Sequence, residues 1–158
     1  MHKTKIDISE DVRGKMIEIL NERLADGLDL KSQAKQAHWN VKGMNFIALH
    51  ELFDQVATEV DAHVDTIAER VTTLGGTALG TVRIAAEKSS LNEYPIEITD
   101  GHSHVDALSN ALSDFGKKLR ANIDDADEEG DKDTADLFTG ISREIDKQLW
   151  FVEAHMQA

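Results

Sequence analysis

Residues 45–76 read NFIALHELFDQVATEVDAHVDTIAERVTTLGG, and this stretch decides the fold. Its apolar side chains recur at steps of three and four residues, the spacing that forms one buried stripe on an α-helix. Asn45 is a suitable cap for the start of this helix, and Gly75 with Gly76 ends it. We therefore expect a helix of about 29 residues. Its core stripe consists of Leu49, Phe53, Val56, Val60, Val64, Ile67, Val71 and Leu74.

Three further segments show the same helical period. The first follows Ser9, a good N-cap, and extends to about Trp39, while the last starts near Thr134. The third helix carries Val105, Leu108, Leu112, Phe115, Leu119 and Ile123 in register. Together the segments predict an all-α four-helix bundle over residues 9–158, preceded by a short tail over 1–8.

The connections between these helices differ in length. Residues 76–99 contain Gly80 and the only proline, Pro95, and form an unusually long connection. We expect it to cross along the bundle and to carry a short helix near 83–87. The acidic run 124–133 is expected to connect the third helix to the fourth.

The amino-acid composition excludes several kinds of site and catalysis. The 158 residues include no cysteine, which excludes disulfides, cysteine-ligated zinc and thiol catalysis. No apolar run is long enough for a membrane span and no secretory leader is evident, so we expect a cytoplasmic protein. Thirty acidic against 17 basic residues give a net charge of −13, which attracts cations and repels nucleic acid and anionic lipid.

A polar stripe accompanies the core stripe of the quoted helix. His50, Asp54, Asp65 and Glu69 share one face about 100° wide, rotated away from the apolar stripe. Each i,i+4 pair in this set can bind a metal ion, and imidazole with carboxylate suits iron, manganese or zinc. One ion cannot reach both pairs, because Asp54 and Asp65 are about 16 Å apart along the helix axis.

Two copies of the helix would resolve this separation by packing antiparallel about a two-fold axis near residues 59 and 60. Position 54 would then face position 65 of the partner, and position 50 would face position 69. The result is two equivalent sites in a dimer, each shared between chains. The small residues near the crossing, which favour close contact, are Ala57, Thr58 and Ala62.

Spacing alone leaves a second interpretation open. Asp and Glu usually occupy solvated surfaces, so the polar stripe is alternatively an exposed acidic face. Asp61 also falls on this stripe, where it either forms a hydrogen bond across the axis or adds charge near the metal. No Glu-x-x-His motif occurs, so a di-iron centre inside the bundle is not expected.

Several motifs link these segments to a known family. They are KQAHWNVKG at residues 35–43, His50-Glu51 with Asp54, DTIAER at 65–70, LGG at 74–76, Tyr94-Pro95, DTAD at 133–136 and LWF at 149–151. In these motifs the chain closely resembles the Dps family of ferritin-like proteins, from the first predicted helix to the last. The resemblance implies a ferritin-like four-helix bundle that assembles into a hollow homododecamer.

The resemblance also implies an activity. Members of this family act as ferroxidases, oxidising Fe²⁺ at two-fold interfaces, usually with hydrogen peroxide in preference to dioxygen, and they store the ferric mineral. The implied iron ligands are His38, His50 and Asp54 of one chain with Asp65 and Glu69 of the partner. His38 rests on the resemblance alone, because it lies on another helix. Zinc or manganese remains an alternative occupant, since the same ligands accept several divalent ions.

Other residues receive roles from the same resemblance. Trp39 would lie near the site, where it either packs the pocket or intercepts an oxidising equivalent. Asp133 and Asp136 correspond to an acidic pore through which iron enters the shell, with a solvated loop as the alternative. Arg70 and Asp146 match positions that often pair in the shell contacts of the family. Independently of the resemblance, His102 and His104 form a His-x-His at a predicted helix start and are expected to be surface histidines.

Two functions follow from these expectations. The first is a ferroxidase and iron store that protects DNA chemically. The second is a nucleoid-compacting protein for which DNA binding matters more than iron. The second function requires basic side chains that contact DNA. The segment before Ser9 offers only Lys3 and Lys5, and the negative charge of Asp7 partly offsets theirs.

We expect weak or absent binding of duplex DNA at neutral pH. Few phosphate contacts are available to a chain of net charge −13, and such contacts weaken steeply with salt. A gel-shift assay at ~150 mM salt, where exposed charges are screened beyond about 8 Å, measures this, with a lysine-rich DNA-binding protein as the positive control. A clear shift of the duplex at that salt would contradict the expectation.

Overall fold

The computed structural model describes residues 1–157, and Ala158, the last residue of the predicted bundle domain, lies outside this range. Its helices are α1 (Glu10–Asn40), α2 (Phe46–Thr73), α3 (Val82–Lys88), α4 (Gly101–Glu128) and α5 (Lys132–Glu153). The predicted all-α class, the four long helices and the short crossover helix are confirmed. Within residues 1–157, no helix is both long and apolar enough to cross a membrane.

The long helices form two hairpins that pack against each other. α1 and α2 are joined by residues 41–45, and α4 packs closely on α5. Lys15 bonds to Glu129 and Arg23 bonds to Asn122, so α4 runs antiparallel to α1 and therefore parallel to α2. The connection between α2 and α4 must consequently cross the length of the bundle, as predicted.

The apolar stripe of α2 faces the core. Every predicted member of this stripe is buried, and Phe53 is fully inaccessible. Phe115 of α4 and Phe138 of α5 are likewise fully buried in the same cluster. Burial of each large apolar side chain contributes about 1.5–3 kcal/mol, so this stripe determines which way α2 faces. The polar stripe of α2 is turned away from this core as a result.

Side-chain caps begin three of the long helices. Ser9 Oγ accepts a hydrogen bond from Val12 N, and Asp100 Oδ1 accepts one from Ser103 N. Asp131 caps α5 in the same way. Asn45 occupies the N-cap position of α2 as predicted, but its side chain makes no capping bond. The start of α2 is therefore held by packing and by the turn before it.

Gly75 ends α2 and also accommodates the N-terminal segment. Its φ of 92° is a left-handed conformation that favours glycine. The backbone N–H of His2 donates to the Gly75 carbonyl at 2.7 Å, and a Cβ at position 75 would lie 2.5 Å from the His2 carbonyl oxygen. The start of the chain is thus tied to the end of α2.

The acidic connection before α5 is shorter than predicted. α4 continues to Glu128, which leaves only residues 129–131 between the two helices. Ala126 is fully buried and extends the apolar stripe of α4 into the acidic run. Tertiary packing therefore keeps this segment helical although its aspartates have low helix propensity.

Arg70 and Asp146, the expected shell partners, are each engaged inside the chain. Arg70 donates to Asp131 at 2.8 Å and to Thr134 Oγ1 at 3.0 Å, which ties α2 to the start of α5. Asp146 accepts from Arg120 at 2.8 Å. Within one chain the two residues therefore do not pair.

The expectation that His104 is a surface histidine is wrong. His104 is 1% exposed, because it lies on the buried side of α4 beneath the crossover segment. The Tyr94 hydroxyl lies 2.6 Å from its Nδ1. Burial raises the pKa of Tyr94 and lowers the pKa of His104, so a neutral phenol donates to a neutral imidazole. This bond fastens the crossover to α4.

Replacing Tyr94 by phenylalanine should lower the free energy of unfolding by about 1–2 kcal/mol, because a buried imidazole nitrogen loses its donor. Urea denaturation at fixed chain concentration measures the change. His102→Ala, at an exposed neighbouring position, is the control and should change stability by less than about 0.5 kcal/mol. Equal stability of Tyr94→Phe and the native chain would show that the bond contributes nothing.

His104 should also make stability depend on pH. Its folded-state pKa lies below the usual 6.5, so the unfolded chain takes up the proton first. Its contribution is fully present above about pH 6.5 and is lost as the pH falls toward the folded-state pKa. His104→Gln keeps an acceptor for Tyr94 but cannot take up this proton. Urea titrations at about pH 7.5 and 5.5 should therefore show a smaller loss in His104→Gln than in the native chain.

Candidate metal centre

Two histidines meet where α1 ends and α2 begins. His38 lies in the last turn of α1 and His50 in the first turns of α2, and the rings stack with centroids 3.8 Å apart and planes 19° apart. His38 Nδ1 lies 2.6 Å from the His50 carbonyl oxygen, and His50 Nδ1 lies 2.8 Å from the His38 carbonyl oxygen. The two residues thus exchange hydrogen bonds across the hairpin.

These bonds select the chemical form of both rings. A carbonyl oxygen only accepts, so each Nδ1 must carry the proton and donate it. In the neutral imidazole the lone pair then belongs to Nε2, which is a metal-binding nitrogen. The hairpin therefore presents two oriented imidazole donors side by side, which fits a divalent transition metal.

Asp54 adds a carboxylate one turn along α2 from His50. Lys35 Nζ donates a hydrogen bond to Asp54 Oδ1 at 2.6 Å. This bond holds the pKa of the Asp54 carboxyl below its usual value. Desolvation acts in the opposite direction, while the charges of Lys35, His38 and His50 lower the pKa further. Asp54 is consequently ionised at neutral pH, the form that binds a cation.

Asp65 and Glu69 lie farther along the same helix. Both are exposed on the outward side of α2, and neither is brought to the histidine pair within the chain. Among residues 1–157 of one chain, no group of three or more His, Asp or Glu side chains is placed to hold an ion. The predicted five-residue ligand set therefore divides into His38, His50 and Asp54 at one end of α2 and Asp65 and Glu69 at the other.

The middle of α2 shows which of the predicted crossing residues face outward. Thr58 and Ala62 are exposed, but Ala57 is 3% exposed and packs into the chain's own core, so its assignment to the crossing is wrong. Its helical angle places it beside the apolar stripe rather than on the polar one. Asp61 pairs with Lys31 at 2.6 Å within the chain. Thr58, Asp61, Ala62 and Asp65 line a groove of about 560 Å³ against α1 and the crossover.

Exposed apolar side chains surround the histidine end of this face. Trp39 is 66% exposed beside His38, and Ile47 is 61% exposed. Phe46 is also exposed, with its ring 5.0 Å from the His50 ring. Large apolar side chains grouped around a polar site are typical of a surface that another molecule covers.

The acids of the predicted pore stand on α5. Asp133 and Asp136 are both exposed in the first turns of this helix. The neighbouring Asp131 differs, because it is 1% exposed and bonded to Arg70 and Thr134. Asp131 is therefore a structural residue. The pore role of Asp133 and Asp136 stays a prediction.

Lys35 is the residue at the site whose role was not assigned from the sequence. It precedes His38 by three residues, which places both on one face of α1. Its ammonium bonds to Asp54 and lies 5.6 Å from the centre of the Trp39 ring. The spacing was visible in the sequence, but its pairing with Asp54 depends on how α1 and α2 align.

Comparison with known proteins shows which family this chain resembles. The family described as "Ferritin-like domain" matches residues 17–158. A "DNA protection during starvation protein" of Agrobacterium fabrum is 51% identical over 156 residues, which cover 99% of this chain and 96% of that protein.

Solved structures agree with this relationship. DpsC from Streptomyces coelicolor superposes with a TM-score of 0.94 at 32% identity, covering 99% of this chain and 92% of that one. The Dps protein of Vibrio cholerae O1, described as a member of the ferritin-like diiron-carboxylate superfamily, superposes with a TM-score of 0.91 at 25% identity, covering 99% of this chain and 98% of that one. Sequence, fold and full-length coverage together assign this chain to the Dps family of ferritin-like proteins.

Proposed function

We propose that the chain is a ferroxidase and iron store. It takes Fe²⁺ as its substrate, oxidises it preferentially with hydrogen peroxide, and retains the ferric mineral inside a cytoplasmic homododecameric shell. The observation that carries the proposal is the exchange of hydrogen bonds between His38 and His50, which orients both rings at the end of α2 where the ionised Asp54 lies one turn beyond His50.

Each site is completed by a second subunit. His38, His50 and Asp54 of one chain bind Fe²⁺ together with Asp65 and Glu69 of the partner subunit. The exposed Thr58 and Ala62 support close approach of two α2 helices near the middle of the face. The apolar rim formed by Trp39, Phe46 and Ile47 supports a covered interface at the histidine end.

The chain's residues prepare the substrate for oxidation. Both imidazoles are oriented by the hairpin hydrogen bonds, which do not use Nε2, and Asp54 is ionised, so the donor set is prepared to bind Fe²⁺. Two ferrous ions supply the two electrons that, with two protons, reduce one hydrogen peroxide to two waters. Pairing the electrons in this way avoids release of a hydroxyl radical.

Acidic residues elsewhere assist iron supply. Asp133 and Asp136 are exposed together at the start of α5, and a shell axis that repeats them would concentrate negative potential there. Such a potential draws Fe²⁺ toward the interior. Removing Fe²⁺ and peroxide together protects nearby DNA chemically, which is in keeping with the name of the Agrobacterium relative.

The variant Asp65→Ala with Glu69→Ala should lose at least about tenfold of the rate of peroxide-driven Fe²⁺ oxidation, because a ligand pair is removed from every site. The rate is followed by absorbance of the ferric product after a peroxide pulse, and native mass spectrometry checks that the shell is intact. The matched control is Asp106→Ala with Asp114→Ala, which removes the same charge from α4.

The control should keep the native oxidation rate. An intact Asp65→Ala, Glu69→Ala shell that oxidises iron at the native rate would exclude the proposed ligand set.

A further inference from the structure

Lys35 forms an ion pair with Asp54, the carboxylate that binds iron in the proposed site. Its Nζ lies 2.6 Å from Asp54 Oδ1, with the lysine side chain 29% and the aspartate side chain 50% exposed. The same ammonium lies 5.6 Å from the centre of the Trp39 ring, within range of a cation–π contact. A fixed positive charge is thus held between a ligand and the aromatic side chain beside the site.

This ammonium provides part of what a metal ion would provide. It neutralises Asp54 and orients one carboxylate oxygen toward α1. A divalent ion at Asp54 would share this carboxylate with the ammonium, so it would compete for the oxygen lone pairs and be repelled by the ammonium charge. The contact with the Trp39 ring favours an ammonium that stays near the site, where its charge opposes that of the ion.

We infer that Lys35 is a positioning residue that holds Asp54 in place of a cation and lowers the affinity of the site for divalent ions. It thereby sets the Fe²⁺ concentration at which the site fills. The inference rests on the proposed function, because it takes Asp54 to be a ligand.

The strength of the pair suits this role. Partly exposed lysine–aspartate pairs contribute little to stability, so the interaction yields to a divalent ion. Competition for Asp54 and repulsion between the two cations act in the same direction. Both effects make binding of the ion weaker than it would be without the lysine.

The chain contains a matched comparison for this pair. Lys31, one helical turn earlier on α1, bonds to Asp61 of α2 at the same 2.6 Å. Its side-chain exposures of 38% and 54% resemble those of the Lys35 pair. Asp61 is not among the proposed ligands, so removing Lys31 removes an equal charge without releasing a ligand.

The test is the affinity of the assembled full-length protein for Zn²⁺, a redox-inert probe, measured by titration calorimetry at pH 7. Lys35→Met should bind Zn²⁺ about three- to tenfold more tightly than the native protein. Lys35→Arg, which keeps the charge, and Lys31→Met should each stay within about twofold. Native mass spectrometry checks assembly, and Lys35→Gln replaces Lys35→Met if the latter does not assemble.

Two results would overturn the inference. The first is unchanged or weaker Zn²⁺ binding in an assembled Lys35→Met shell. The second is equal tightening by Lys31→Met, which would indicate only a general charge effect. In either case, loss of Zn²⁺ binding in Asp65→Ala with Glu69→Ala would leave the proposed function standing. Native Zn²⁺ affinity in that double variant would instead remove the proposed site and the inference together.

Discussion

His38 and His50 exchange hydrogen bonds between ring and backbone, and these bonds orient the imidazoles of the candidate metal centre. Each ring is oriented by the carbonyl of the other residue, so both Nε2 atoms are available only when the two helices meet in this register. Burial of the apolar stripe of α2 sets that register, because a rotation of the helix would expose Phe53. Core packing therefore determines which ring nitrogen of His38 and of His50 donates the hydrogen bond.

The sequence predicted those features that depend on helical period. The predictions of the α2 stripe, of the glycines that end α2 and of the crossover were correct. An apolar side chain at every third or fourth residue strongly favours an amphipathic helix over other structures. The polar face carrying His50, Asp54, Asp65 and Glu69 followed from the same angle. What the angle could not supply was His38, which lies on another helix and was predicted as a ligand only from the family resemblance.

The errors share a physical origin in tertiary contact. His104 looks like a surface residue until the crossover covers it, and Ala57 lies at the boundary between the two stripes, where a small rotation decides its burial. The acidic run was expected to be a connection between two helices, yet burial of Ala126 extends α4 into it. Lys35 received no role because an ion pair between helices depends on their alignment.

The hydrogen bond between His2 and Gly75 has a consequence for the start of the chain. Residues 3–8 are held at one end by this bond and at the other by the Ser9 cap of α1, so they form a loop closed at both ends. Six residues span at most about 20 Å when extended, and closure shortens their reach. Lys3 and Lys5 therefore lie on the surface beside the end of α2, and their reach into solution is shorter than that of an arm attached at one end only.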